Sequence, residues 1–166
     1  MTAEPASDSA DLVDVHLLGI SINAFRHTSA HHDELFREFA LIQGRDPSGE
    51  HEVPVRLLAL VEELQRRFGG FSAGPQAEIE AAAERGEESV DVTYRVPRET
   101  RDAVIRLAEL LTRADEYCRQ GELLTVAPPP TAVAFRNWFL REFAVQIDGA
   151  PPTPWPEYRA DVTPLP

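Results

Sequence analysis

The stretch SVDVTYRVPRETRDAVIRLAELLTRADEYCRQG, residues 89–121, contains both kinds of element from which the fold is built. In residues 89–96, Val90, Val92, Tyr94 and Val96 alternate with Asp91, Thr93 and Arg95. That two-residue period is the mark of a strand with one dry face and one wet face. Pro97 then changes the period. Val104, Leu107, Ala108, Leu111, Ala114 and Cys118 recur at three and four, so an amphipathic helix, the longest one expected, runs on to Gln120 and is closed by Gly121.

The same reading extends outward from this pair. Leu12, Val13, Val15 and Leu17 alternate in part with Asp14 and His16, which predicts a second strand over 12–18. A single strand is unstable alone, so the two are expected to pair with each other, or else each with a second copy of the chain. A helix is predicted from Ser21 to Gln43, with Phe25, His32, Leu35, Phe36, Phe39 and Ile42 gathered on one side. Gly44 to Gly49 then supplies turn chemistry. Pro54 to Phe68 reads as a central helix ended by Gly69-Gly70, followed by a weaker alanine-rich helix from Pro75 to Arg85. After Pro128–Pro130 a last helix is expected over 131–148, capped by Thr131 and carrying Phe135, Trp138, Phe139, Phe143 and Ile147.

The fold class expected is therefore mainly α with a minor β component (α+β). About five helices should pack in one bundle-like domain with two short strands. The predicted organisation is a disordered leader over 1–11, a single domain over 12–148 and a proline-rich tail over 149–166. In the tail, Gly149 can reverse the chain and the prolines stiffen it. Trp155 has no local apolar neighbour but proline rings, so the tail is expected to dock with Trp155 near the start or middle of the last helix.

Composition narrows the function. The chain has 166 residues, with 16 basic against 28 acidic side chains and a net charge of -12. Every basic residue is arginine; there is no lysine. Schiff-base chemistry, a lysine base and the lysine of a phosphate-binding loop are thereby excluded. The acidity argues against nucleic acid as a partner. One cysteine cannot form an intrachain disulfide, no apolar run is long enough for a membrane span, and the N-terminal residues do not read as a secretory signal. A cytoplasmic location is the expectation.

The polar clusters yield two candidate sites. His27, His31, Glu34 and Glu38 fall four, three and four apart on the first long helix, so they share one face and could hold a metal ion. The plainer reading of that face is solvated charge with helix-stabilising pairs, and His32 lies among the apolar residues. Glu78, Glu80, Glu84, Glu87 and Glu88 form the strongest local charge run, either a solvated helix or a docking surface for a basic protein partner. Trp155 and Tyr158 either staple the tail or await a partner. Cys118, on the apolar stripe, is expected to be buried and inert.

Five stretches carry a resemblance: HHDELFREFALI (31–42), PVRLLALVEELQRRFGGF (54–71), GEESVDVTYRVP (86–97), ADEYCRQGELLTVAPP (114–129) and FRNWFLREFAVQIDGAPPTPWP (135–156). Together they resemble a family of small, uncharacterised actinobacterial proteins. Its members occur beside ATP-binding anti-sigma regulators and their sulfate-transporter/anti-sigma-antagonist partners. The resemblance implies a regulatory role and carries over no active site. The chain lacks the nucleotide-binding signatures of the kinase itself. The leading expectation is thus a non-enzymatic regulatory or adaptor protein that acts through contact with a protein partner or with itself and needs no cofactor. A metal-dependent enzyme or sensor on the histidine-bearing helix is the alternative, and a helical domain enclosing a small apolar ligand is a third possibility.

Overall fold

In the computed structural model, residues 11–45 and 52–157 are described. The leader expected over 1–11, apart from Asp11, lies outside the described residues. So do Tyr158 and most of the turn at 44–49.

Strand β1 (Leu12–Ser21) pairs antiparallel with β2 (Ser89–Pro97). Val15 stands opposite Tyr94 and Leu17 opposite Val92, and these four side chains are buried on the inner face. The outer face shows Asp14, His16, Asp91, Thr93 and Arg95 to solvent. β1 runs past the expected end at residue 18 because it contains a bulge. The register steps from Leu17–Val92 to Ile20–Val90, which leaves one extra residue on β1. Gly19 takes that position with φ +68°, a conformation open to glycine at no steric cost, and its amide donates to Asp91 Oδ1 at 2.6 Å. The bulge also resets the alternation. Inward positions are odd up to Leu17 and even from Ile20, so Ile20 and Ile22 enter the core.

Among the described residues there are four α-helices: α1 (Ile22–Arg45), α2 (Glu52–Glu84) and α4 (Pro130–Ile147) pack on this small sheet, and α3 (Thr100–Arg119) packs between α2 and α4. The expected count of about five is corrected here. The helices predicted over 54–68 and 75–85 are one continuous helix, α2. Gly69, Gly70 and Gly74 have no positive φ, so none of them takes the left-handed conformation that would end a helix. The packing explains why the helix continues: Leu57 and Leu60 before the glycines and Pro75, Ile79 and Ala82 after them are all buried, so one helix covers both regions of the core. α2, not α3, is consequently the longest helix. α3 starts at Thr100, three residues later than expected, because Pro97 still belongs to β2.

α4 joins the layers. Gln146 accepts the His16 amide on its Oε1 and donates from Nε2 to the His16 carbonyl, both at 2.8 Å. Its carboxamide thus acts on β1 as a neighbouring strand would. Nε2 donates as well to Oε2 of the fully buried Glu142 at 2.8 Å. Beyond α4, Gly149 (φ +94°) reverses the chain and the tail returns along the helix. Thr153 donates its amide to Glu142 Oε2 at 2.9 Å, and its carbonyl accepts the indole N–H of Trp138 at 2.7 Å. Trp155, in a 3-10 turn (Trp155–Glu157), meets Phe135 edge-on at 5.1 Å and lies 5.6 Å from Trp138. Pro156 closes over the bulge; a Cβ at Gly19 would come within 3.0 Å of its ring.

A continuous α2 makes a specific mutational prediction. Gly70 is exposed and helical, and a Cβ added there would meet nothing within 4 Å. Gly70→Ala should therefore stabilise the protein by about 0.5–1 kcal/mol in urea unfolding. A loss of stability would show that the helix breaks there. Leu111, 1% exposed, should cost about 2–5 kcal/mol when truncated to alanine in the same measurement.

Candidate functional site: an apolar cavity

Between the four helices and the inner face of β2 lies a cavity of about 360 Å³, open to solvent on the side of Gln65 and Gln76. Helical spacing places its wall. α1 contributes Phe25, Thr28, His32 and Phe36, and α3 contributes Thr100, Val104, Leu107 and Leu111. Each set recurs at three and four, the period of one helix face. Val61, Leu64, Phe68 and Phe71 of α2 close one side; Phe135, Arg136, Phe139, Leu140 and Phe143 of α4 close the other, with Tyr94 and Val96 at the sheet. The rings form a connected series, with centroids 6.4 Å apart for Phe25–Phe139, 5.6 Å for Phe139–Phe143 and 5.1 Å for Tyr94–Phe143. Gly69 also borders the space, and a Cβ there would meet nothing within 4 Å. The missing side chain is part of why room remains. Leu107, expected in the core, is only half-buried because it faces this space.

The two ends of the cavity differ. α3 and α4 run antiparallel, fastened near the sheet by Arg101–Asp148 at 2.8 Å and at the far end by Asp115–Arg136 at 2.8 Å. The second pair is buried, with side chains 6% and 4% exposed. Arg136 lines the cavity, and Thr28 and His32 present their side chains one turn apart on α1. Thr100 occupies the sheet end, beside Tyr94 and Val96 in the wall. Thr28 Oγ1, His32 Nε2, Thr100 Oγ1 and Arg136 Nε are all buried, and none has a hydrogen-bond partner among the described residues. All four atoms lie behind the cavity surface, out of reach of a water-sized molecule, so the surface that a guest would meet is mainly apolar.

Burial, with the Arg136 charge and His31 adding to it, pushes the His32 imidazole down to about 3. His32 is therefore a neutral ring near neutral pH. His31 is also lowered, first by burial, with Asp115 acting in the opposite direction.

The residues singled out from sequence are distributed differently. His27 and Glu34 are exposed, and His31 is half-buried toward Asp115. Glu38 is occupied by the loop after α3: Oε1 accepts the Leu124 amide at 2.6 Å, and Oε2 accepts the Thr125 amide at 2.8 Å and its hydroxyl at 2.6 Å. Burial pushes the Glu38 carboxyl up, but these bonds outweigh it and hold the group below its usual range. Among the described residues no group of three or more His, Cys, Asp or Glu could hold a metal ion, so the set His27, His31, Glu34 and Glu38 is not assembled into one. Glu78, Glu80, Glu84, Glu87 and Glu88 are all exposed, at the end of α2 and in the turn beyond it, with Glu87 bound to Arg85 at 2.6 Å. Cys118 is buried, and burial, then Asp115 and Glu38, push its thiol up to about 11. Near neutral pH it is therefore held as the neutral thiol.

Thr28, Thr100, Asp115 and Arg136 were not singled out from sequence. Arg136 did carry a signal: it is a charged residue one position from Phe135 on an aromatic helix. The threonines carried none, since only packing leaves their hydroxyls unpaired. No family model, curated protein or solved structure matches the chain.

The neutral His32 has a measurable consequence. Its folded pKa lies below the unfolded value, so the unfolded chain takes up the proton first. The contribution is intact above about pH 6.5 and is lost as pH falls toward about 3. Relative to His32→Gln, the native protein should lose up to about 1.4 kcal/mol of stability per pH unit between pH 6 and 4. Parallel stability profiles for the two proteins across that window would show that His32 is not buried as described.

Proposed function

We propose that the protein is a non-enzymatic binding domain that takes a small, largely apolar molecule into its central cavity. The observation that carries this reading is the aromatic and aliphatic lining of a space of about 360 Å³. Binding sites for small molecules are commonly lined in this way, mainly by hydrophobic and aromatic side chains. A cavity of about 150 Å³ holds benzene, so this one suits a guest of roughly 12–15 non-hydrogen atoms. Nucleophilic chemistry is not favoured by a thiol raised to about 11.

A second reading, regulatory contact with a protein partner of the kind the anti-sigma resemblance implies, is supported by a different feature. The loop between α3 and α4 leaves Leu124 94% and Val126 79% exposed, while Glu38 holds its backbone in place. Exposed apolar side chains on a backbone fixed in this way suit recognition by a partner. The loop joins two helices that wall the cavity, so a guest inside and a partner outside would act on the same elements. The two readings combine as a ligand-responsive regulator.

The test is direct. A library of aromatic compounds of this size should contain members that raise the unfolding temperature. At a hundredfold excess over Kd such a compound should add about 2.7 kcal/mol of stability. Leu107→Trp, which places an indole into the space, should remain folded and lose the effect. Failure of every compound at millimolar concentration, together with no molecule retained in native mass spectrometry of freshly purified protein, would overturn the reading.

A further inference from the structure

Independently of the cavity, we infer that the protein pairs with a second copy of itself through the outer edge of β2, so that two copies share a four-stranded antiparallel sheet. The fold treats the two edges of its sheet differently. The Arg98 amide donates to the Asp11 carbonyl at 3.2 Å, and the Ile22 amide donates to the Glu88 carbonyl at 3.0 Å. With the register between them, these bonds turn the backbone groups of even-numbered β2 residues toward β1 and those of odd-numbered residues outward. On the outer edge of β1, Gln146 takes up the His16 amide and carbonyl, and the turn at Trp155–Glu157 lies against the strand. On the outer edge of β2, the amides and carbonyls of Asp91, Thr93 and Arg95 have no hydrogen-bond partner among the described residues. All three residues are exposed. Buried backbone groups are almost always paired, so these face water, and an open strand edge is a template for another strand.

The order of side chains along this edge selects a second copy as the occupant. A two-fold antiparallel pairing centred on Thr93 sets Thr93 against Thr93 of the second copy, and Asp91 against Arg95 of the second copy in both directions. These are the positions whose backbone groups point outward, so each of the three pairs exchanges two backbone hydrogen bonds. Threonine pairs and opposite charges directly across a ladder are favourable, and like charges are not. Centring the pairing on Asp91 or on Arg95 would set like charges face to face. Charged side chains on a free edge ordinarily discourage pairing with other chains; here their order makes one register self-complementary. Both charges have capacity to spare. The Arg95 side chain is 72% exposed and only 3.7 Å from Asp14, while Asp91 uses one oxygen on the Gly19 amide. On the inner face the same register brings Val92 against Tyr94 of the second copy, so apolar residues continue across the junction.

Sedimentation equilibrium of the full chain tests this. The measurement is made at physiological ionic strength, where repulsion between two chains of charge -12 is screened over about 8 Å. At micromolar concentration the native protein should have twice the mass of the chain. Asp91→Arg leaves only arginine at the paired charged positions, and Arg95→Asp leaves only aspartate. Each variant alone should dissociate at least about tenfold more readily than the native protein. An equimolar mixture of the two restores opposite charges at every pair and should form a mixed dimer, which damage to either fold would not allow. Thr93→Cys supplies a readout that leaves the charges intact. It sets two thiols across a hydrogen-bonded pair with Cα atoms about 5.5 Å apart, within disulfide reach. Under oxidised glutathione it should cross-link into a dimer, and the native chain, whose one cysteine is buried, should not. A native protein that stays monomeric at every concentration would overturn the inference. A dimer that persists in both single variants, or that Thr93→Cys fails to cross-link, would overturn it equally, because the interface would then lie elsewhere.

Discussion

The side chain of Gln146 holds together parts of the molecule that would not otherwise cohere. Two strands alone are marginal in water, and β1 has a free edge whose backbone groups need partners. The carboxamide meets the amide and carbonyl of His16 at once, giving β1 a neighbour without a third strand. Glu142, buried one turn earlier, fixes the orientation of that carboxamide and also receives the Thr153 amide from the returning tail. Sheet, last helix and tail are therefore fastened at one place. Since Trp155 and Pro156 then cover α4 and the Gly19 bulge, the polar hub and the aromatic staple support each other.

The cavity follows from how few elements surround so much aromatic surface. Four helices on a two-stranded sheet leave a space among them. α2 borders it with Gly69, which contributes backbone where a side chain would have taken up room. One side of that space is open to solvent, so its aromatic and aliphatic walls face water together, and a contiguous apolar surface of this kind is a common mark of a binding site.

Electrostatics at the polar end have the same character. Buried ionic groups are tolerated when paired, and Asp115–Arg136 is paired. Pairing fixes Arg136 in the wall and keeps the local net charge at zero, while burial holds His32 neutral. The acidic surface and the cavity are thus separate: the net charge of -12 is carried by exposed side chains, and the cavity lining is mainly apolar.

Local pattern alone was enough for the periodic elements and the class of fold. Alternation over 89–96 identified β2, three-and-four spacing identified α3 and α4, and the isolation of Trp155 among prolines pointed to α4 as its place of burial. Each of those signals depends on which side chains repeat along a few turns or a few strand residues. Long-range packing settled the remainder. Gly69-Gly70 reads as a stop signal, yet α2 continues because burial on both sides of the glycines outweighs their weak local preference. Gly19 reads as the end of a strand, yet pairing with β2 makes it a bulge. Glu38 reads as a free carboxylate on a helix face, yet a loop more than eighty residues away claims it. The cavity is the clearest case. Phe25, Val104 and Phe139 each read as core residues, and empty space among them exists only in the relative placement of four helices, a long-range property that no periodicity encodes.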